Sequence, residues 1–235
     1  NFGLAAERAR ALGLQVEVLI VADDVAIPGA ARPRGLAGTV LVHKVAGHLS
    51  RAGAPLAEVR RAAERVAGAV VSIGLSLSSC TIPGAAETEG RLGPGEVELG
   101  LGIHGEPGAS VIPLAPVREL AATMARRLEQ ELAARGAGDG PLALLLNDLG
   151  GTPPIELSVA AAATLEAMQR QVALVFGPER VMTSLDMKGF SISALPLDDE
   201  LAAALCSPVG PRAWAPGRRP AAPALLPLPD AVRPR

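Results

Sequence analysis

Apolar positions along the chain follow two alternating patterns. Short uninterrupted apolar runs predict buried strands, and stretches with apolar residues every three to four positions predict amphipathic helices. Alternation of the two predicts an α/β architecture. The predicted strands are Val16–Ala22, Ser72–Pro83, Val97–Ile103, Pro141–Leu146, Val172–Phe176 and Phe190–Leu197, and the predicted helices are Leu4–Leu12, Thr39–Leu49, Leu56–Val71, Val117–Ala134, 153–168 and Asp198–Cys206.

A polar, glycine-containing stretch at Ala86–Gly95 divides these elements into two groups. We therefore predict two α/β domains with mixed sheets flanked by helices. Residues 1–79 are the remnant of a truncated first domain and 80–208 form the second. Because the chain starts with Asn instead of Met, we expect its natural N-terminus to be absent, and we expect the remnant to be the less stable half.

The C-terminal part of the chain changes composition. Eight of its last 28 residues are proline, and arginine outnumbers acidic residues there. Proline blocks helix and sheet pairing, so residues 209–235 are predicted to be a Pro/Arg-rich linker or tail without a core of its own. We expect mobility from about Gly217 onward.

Composition excludes several classes of function. Three Phe, one Trp and no Tyr leave no aromatic platforms for base stacking, and with a net charge of −2 no basic patch indicates nucleic-acid binding. No apolar run reaches the roughly 18 residues of a membrane span. Cys80 and Cys206 are far apart and form no metal-binding spacing, which favours a reducing, cytoplasmic setting.

Of the three histidines, His104 stands out. His43 and His48 fall five residues apart in a predicted helix, so they do not match a metal pair, and packing or solvent exposure is their simplest role. His104 follows a predicted strand in a glycine-rich loop, where the backbone can approach a ligand closely. An imidazole placed there can be a base, a nucleophile or a ligand, or a structural turn residue.

Two further polar loops are candidates, although neither is specific alone. Asn147–Thr152 lies between a buried strand and a helix start, where backbone N–H groups can bind anions or hydroxyls. Thr183–Met187 precedes a strand and reads equally as a turn with a helical stub. The chain has no phosphate-binding G-x-x-x-x-G-K-[ST] loop, no dinucleotide fingerprint and no serine elbow.

The segment V-E-L-G-L-G-I-H-G-E-P-G at Val97–Gly108 closely resembles the signature of the substrate-binding subunit of dihydroxyacetone kinases. Six other stretches resemble the same family and follow its order, so the resemblance covers about Asn1 to Trp214. These stretches are Arg34–Gly47, Gly74–Pro83, Asn147–Leu157, Thr183–Met187, Gly189–Ser191 and Asp198–Leu201.

The resemblance implies that His104 anchors a small keto-sugar, dihydroxyacetone (glycerone) or glyceraldehyde, by a covalent bond from its ring nitrogen to the carbonyl carbon. Glycerol has no carbonyl and would be rejected. Glu106, or a backbone carbonyl, would hold the other ring N–H, and Gly105 would let the substrate lie against the backbone. Hydroxyl donors would come from Ser78, Ser79 or the Asn147–Thr152 loop.

The same resemblance implies a phosphotransferase with missing parts. The family's acid/base His and Asp belong to segments upstream of Asn1, and its phosphate donor sits on a separate helical domain that binds ATP with magnesium or carries a phosphohistidine. The tail is similar to the linker of ATP-dependent animal members, some of which also cyclise flavin adenine dinucleotide. We expect a cytoplasmic homodimer that binds no cofactor through this chain and is inactive in isolation. The alternative is a non-catalytic sugar-binding or regulatory module.

Overall fold

The computed structural model of the chain describes residues 1–27, 34–84, 92–100 and 108–221. Three helices come first, three strands follow, and helices and strands alternate only from α4 to β5. The elements are α1 (Phe2–Ala11), α2 (Thr39–Arg51), α3 (Leu56–Ala69), β1 (Val71–Ser76), β2 (Glu96–Leu99), β3 (Ser110–Pro113), α4 (Val117–Ala134), β4 (Leu142–Asp148), α5 (Pro154–Ala167), β5 (Val172–Glu179), β6 (Gly189–Pro196) and α6 (Asp199–Cys206).

The strands form one mixed sheet in the order β3-β2-β1-β6-β4-β5. β4 and β5 are parallel, and the other neighbours are antiparallel. Every residue of β1 and of β4 is buried. Burial on both faces is why β4 starts with five consecutive apolar residues and why β1 contains only apolar and small residues.

Helices cover both faces of this sheet. Successive side chains of a strand point to opposite faces, so Leu144 belongs to the core beneath α4 and α5. Leu145 belongs to the second core, beneath α2, α3 and α6. Phe176 and Leu195 join that second core. The α/β class with helix-flanked mixed pairing is confirmed.

The sheet does not divide where two domains were predicted. β1 lies between β2 and β6, so a strand of the predicted first domain pairs on both sides with strands of the predicted second. The expectation of two sheets is therefore wrong for the described residues, because the apolar run of β1 is completed by partners later in the chain. The domain boundary at residue 79 stays a prediction, and so does the lower stability expected of residues 1–79.

The predicted strand at Val16–Ala22 does not form a ladder with any part of the described chain. The backbone pairs only just after it: the Ser72 N–H donates to the Asp23 carbonyl at 2.6 Å, and the Val25 N–H donates to the Ser72 carbonyl at 2.9 Å. Val18 and Ile20 stay 40% and 80% exposed. A strand requires a partner as well as an apolar run, and residues 16–22 have none within the described ranges.

The segment that follows α6, which was predicted to be the start of the tail, contacts the edge of the sheet. The backbones of Val175 and Arg218 exchange two hydrogen bonds of 2.8 Å, and the Trp214 ring lies 5.3 Å from that of Phe176. β5 is the edge of the sheet, so its unpaired backbone groups are satisfied by the segment that follows α6. Mobility from about Gly217 onward stays a prediction, and residues 222–235 lie outside the described ranges.

None of the helices in the described ranges is long and apolar enough to cross a bilayer.

Candidate functional site

The loop predicted to carry the reactive histidine connects β2 and β3. Leu99 pairs with Ser110, and the Ala109 N–H donates to the Leu99 carbonyl at 2.8 Å, so the two strands form an antiparallel pair around this connection. Residues 101–107 lie outside the described ranges. The roles predicted for His104, Gly105 and Glu106 therefore stay predictions, and the structure describes what holds the two ends of the loop.

The first end is held by Gly100. Its φ of +75° suits glycine, and a Cβ added there would lie 2.1 Å from the Cβ of Ala26. Its N–H donates to the carbonyl of Gly74 on β1 at 2.7 Å. The start of the loop thus lies directly against β1 and the segment after Asp24, with no room for a side chain.

An ion pair fixes the same end from the other side. The guanidinium of Arg34 donates to the Gly100 carbonyl at 2.7 Å and lies 2.6 Å from Oδ2 of Asp24. The Asp24 side chain is 2% exposed, and its Oδ1 accepts from the Ala26 N–H at 2.9 Å. Burial raises the pKa of Asp24, although the Ala26 hydrogen bond and the charge of Arg34 oppose that rise.

The second end is held by a buried carboxylate. Oε1 of Glu98 accepts from the Gly108 N–H at 2.6 Å, and a Cβ on Gly108 would lie 2.5 Å from the Glu98 Cγ. Glu98 thus holds the backbone at the end of the loop.

The loop after β4 folds inward. The Asn147 amide donates to the Met182 carbonyl at 2.7 Å and to the Ser191 hydroxyl at 3.2 Å. Its Oδ1 accepts from the Val181 and Met182 N–H groups at 3.1 and 2.8 Å. All donors and acceptors of this amide are engaged, so Asn147 is a structural residue and has no donor left for a substrate.

Asp148 and Thr152 are similarly engaged. The carboxylate of Asp148, fully buried, accepts from the N–H groups of Gly150 and Thr152 at 2.9 and 3.3 Å and from Nε of Arg180 at 2.6 Å. The Thr152 hydroxyl both donates to the Gly189 carbonyl and accepts from the Gly189 N–H. The side chains of this loop that were predicted to contact a ligand are therefore already hydrogen-bonded within the protein.

Ser78 and Ser79 lie past the C-terminal end of β1. The Ser78 hydroxyl accepts from the Lys188 N–H at 3.0 Å, which leaves its own O–H free to donate. Ser78 follows Ser76 of β1, and Gly100 follows Glu98 of β2, and Ser76 and Glu98 are paired. Because the two strands are antiparallel, Ser78 and Gly100 lie on opposite sides of that pair. The roles of Ser78 and Ser79 as substrate donors stay predictions.

The segment that contacts Ser78 also packs on the β4 loop. The Ser184 N–H donates to the Leu149 carbonyl at 2.7 Å, and the Gly151 N–H donates to the Met187 carbonyl at 2.9 Å. Oδ1 of Asp186 accepts from the Thr81 N–H at 2.6 Å, which lowers the pKa of that carboxyl. The three polar segments that resemble the family are thus adjacent in space.

Sequence reasoning missed the basic partners of this region. The ion pair of Asp24 with Arg34 depends on a fold that brings a later loop back to the sheet. Arg180 gave no signal in the sequence either. Within the residues that the structure describes, no group of three or more His, Cys, Asp and Glu side chains could hold a metal ion.

This architecture defines an α/β domain whose glycine-flanked β2–β3 loop is held against the sheet by buried acids and an arginine. A family comparison matches residues 1–213 to the Dak1 domain. The chain belongs to the Dak1 domain family.

Its relatives are kinases. The chain is 41% identical to a dihydroxyacetone kinase of Citrobacter freundii over 91% of its own length, and 38% identical to human triokinase/FMN cyclase over the same share. It spans only 38% of the length of either relative. It is also 39% identical to the dihydroxyacetone-binding subunit DhaK of a PTS-dependent dihydroxyacetone kinase of Listeria innocua, covering 85% of this chain and 62% of that subunit.

The fold agrees with a solved relative. The crystal structure of the C. freundii kinase in complex with AMP-PNP and Mg²⁺ superposes with a TM-score of 0.90 at 39% identity. The match covers 99% of this chain and 43% of that protein. The mixed α/β fold is therefore that of the dihydroxyacetone kinases.

Proposed function

We propose that this chain is the substrate-binding unit of a dihydroxyacetone kinase and that His104 holds dihydroxyacetone or glyceraldehyde covalently during phosphoryl transfer. The observation that carries the proposal is the match of residues 1–213 to the Dak1 domain, which includes the whole His104 loop. A relative of this chain is named as a dihydroxyacetone-binding subunit, which supports the same substrate.

The bond proposed at His104 is an addition. The lone pair of a neutral ring nitrogen attacks the carbonyl carbon, the C=O π electrons move to oxygen, and the oxygen takes up a proton from solvent. A hemiaminal forms on a ring that now carries the positive charge of that proton, and nothing leaves. The other ring nitrogen keeps its hydrogen and donates it to Glu106 or to a backbone carbonyl, which fixes the tautomer. Glycerol has no carbonyl carbon and cannot react.

The described contacts at both ends of the loop support this role. Gly100 is fixed by Gly74 and Arg34, and Gly108 is fixed by Glu98. Positioning of a reacting group lowers the entropy cost of a reaction, and both described ends of the loop are fixed by the fold. Gly105 would leave space for a three-carbon substrate, and Ser78 and Ser79 would donate to its hydroxyls.

We further propose that the phosphate comes from ATP with magnesium on a helical domain outside this chain, and that the complete protein is a dimer. The structure of the C. freundii relative contains AMP-PNP and Mg²⁺, and the matched part is only 43% of that protein.

Native mass spectrometry with dihydroxyacetone tests the anchor. We expect the chain, or the chain preceded by the acid/base segment of a relative, to gain the mass of one intact dihydroxyacetone, because the addition expels no water. His104→Ala should abolish the gain, whereas His43→Ala and His48→Ala should keep it, and glycerol should give none. A gain that survives in His104→Ala, or its absence from both wild-type proteins, would contradict the proposal.

Turnover separates an enzyme part from a non-catalytic module. With the nucleotide-binding domain of a relative and ATP added, phosphorylated dihydroxyacetone is the expected product when the acid/base segment is present. Adduct formation without any turnover under those conditions would favour the sugar-binding or regulatory module.

A further inference from the structure

A cavity of about 440 Å³ lies on the helix-covered face opposite α4 and α5. Its walls are α2, the residues after β5 and the segment that follows α6. A volume of this size is typical of small-molecule sites. The predicted function makes no use of this cavity.

The walls carry only one sign of charge. Lys44 and Arg51 of α2 and Arg180 line the cavity, together with the imidazoles of His43 and His48. Among the residues that the structure describes, no Asp or Glu lines it. Clefts lined by one sign of charge attract ligands of the opposite sign. The cavity therefore favours an anion.

Some of these basic side chains already have hydrogen-bond or ion-pair partners in the protein, and others do not. Nζ of Lys44 donates to the Ala204 carbonyl at 2.8 Å, and Arg180 donates to Asp148. Within the described ranges, no hydrogen bond or ion pair engages His43, His48 or Arg51. His48 and Arg51 lie in the last turn of α2, where basic side chains are favoured beside the unpaired carbonyl groups of the helix. That preference does not explain why a tryptophan and an arginine from other elements close the same cavity.

An aromatic ring completes the walls. Trp214 is half-buried and lines the cavity while packing on Phe176 with ring centroids 5.3 Å apart and planes 40° apart. A partly exposed indole beside cations can contact a flat apolar ring while the cations bind attached negative groups.

We propose that this cavity binds a nucleoside diphosphate, with the base against Trp214 and the phosphates at His43, His48 and Arg51. Within the described ranges these three side chains have no protein partners, so their guanidinium and imidazole N–H groups can donate hydrogen bonds to a diphosphate, and one aromatic wall matches one base. Arg180 extends from this cavity to Asp148, so an occupant would contact the residue that holds the loop after β4. The site is separate from His104 in sequence and function.

The sequence offers a clean probe of this site. Trp214 is the only tryptophan and there is no tyrosine, so tryptophan emission reports on this cavity alone. With ADP, and excitation where ADP does not absorb, we expect saturable quenching. The double variant His48→Gln/Arg51→Gln should weaken binding by about a hundredfold or more, because each of the two lost hydrogen bonds to a charged group contributes about 1.5–3 kcal/mol and 1.4 kcal/mol is tenfold.

Matched variants define the outcome. Arg126→Ala removes a cation from α4, on the other face of the sheet, and should bind ADP like wild type. His104→Ala should also bind ADP unchanged, which separates this proposal from the covalent anchor. Absence of quenching, or equal binding by the double variant, would overturn the site. If pyrophosphate competes fully and matches ADP in affinity, the cavity recognises charge alone and the role of Trp214 is overturned.

Discussion

Arg34 donates a hydrogen bond of 2.7 Å to the carbonyl oxygen of Gly100, a residue 66 positions later in the sequence. The same guanidinium pairs with Asp24 at 2.6 Å. An early loop of the chain thereby holds the first residue of the β2–β3 connection. Because a guanidinium is planar and carries several donors, it can serve a carboxylate and a carbonyl at once.

Replacement of Arg34 tests whether this contact supports the proposed anchor. Arg34→Ala leaves Asp24 as an unpaired buried carboxylate and should reduce the free energy of unfolding by about 3–5 kcal/mol, measured in urea. Arg34→Lys keeps a charge beside Asp24, but its side chain is shorter and lacks the Nη2 atom that contacts both Asp24 and Gly100. We expect Arg34→Lys to remain folded and to form less dihydroxyacetone adduct by native mass spectrometry. Full adduct formation in Arg34→Lys would show that the contact to Gly100 does not matter.

Asn147 should contribute to stability instead of substrate binding. Asn147→Ala removes the acceptor for two buried N–H groups and the donor for the Met182 carbonyl, so we expect a loss of about 3 kcal/mol in urea unfolding. Ser158→Ala, which removes one exposed local hydrogen bond on α5, should change stability by less than about 0.5 kcal/mol. If Asn147→Ala keeps its stability but forms less adduct, Asn147 contacts the substrate instead.

The fold was predictable where local pattern and tertiary environment agree. The amphipathic period predicts Val117–Ala134, and α4 has those bounds. The apolar run Pro141–Leu146 becomes β4, which continues to Asp148. β3 was not predicted, because its residues are largely exposed on an edge strand and show no apolar alternation. The pairing of Arg218 with Val175 depends on which strand lies at the sheet edge, and local sequence does not record that.

The candidate site was predictable in part for the same reason. Its polar loops stand out because each follows an apolar run. Which of their side chains are free depends on partners from distant segments, as with Asn147 and residues 181–182. The ends of the His104 loop are held by Arg34 and Glu98, and neither residue type nor spacing identifies those contacts.

Asp23 should make part of the stability depend on pH. Its buried carboxylate accepts from the Leu36 and Gly38 N–H groups at 2.6 and 2.9 Å and from the Ser72 hydroxyl. Burial raises the pKa of Asp23, and these hydrogen bonds oppose the rise. The folded state therefore binds this proton more tightly than the unfolded chain. Its contribution to stability is largest below the unfolded pKa of 3.8 and is lost as pH rises through the folded pKa.

Asp23→Asn removes the titrating group and provides the measurement. The free energy of unfolding of wild type minus that of Asp23→Asn, from urea titrations between about pH 4 and 7, should decrease as the pH rises. Asp186→Asn provides a contrast, because hydrogen bonds from Thr81 lower the pKa of Asp186. Its difference should increase with pH only below the unfolded pKa of 3.8, and should stay nearly constant between about pH 4 and 7. A difference for Asp23→Asn that does not vary with pH would mean that this carboxyl keeps one protonation state throughout.

The close contact between the loop after β4 and the segment before β6 should be intolerant of a single methyl group. A Cβ on Gly151 would lie 2.0 Å from the Asp186 carbonyl oxygen and 2.8 Å from its carbon. Both are backbone atoms, so no side-chain rotation relieves the overlap, and Gly151→Ala should lower the free energy of unfolding by about 1–3 kcal/mol or more. Gly68→Ala is the matched control, because a Cβ in α3 at that position meets no atom within 4 Å. It should raise stability by about 0.5–1 kcal/mol, since alanine loses less backbone entropy than glycine in a helix.

Gly151→Ala also tests whether this contact positions Ser78. The segment that would be displaced includes Lys188, whose N–H donates to the Ser78 hydroxyl at 3.0 Å. If Ser78 donates to a bound triose, the displacement should weaken the dihydroxyacetone adduct in Gly151→Ala under conditions where the variant is still folded, and Gly68→Ala should leave the adduct unchanged. Ser78→Ala should weaken the adduct to a similar extent without the loss of stability. A folded Gly151→Ala protein with normal adduct formation, together with a normal Ser78→Ala protein, would remove Ser78 from the substrate site and limit this contact to holding the two loops together.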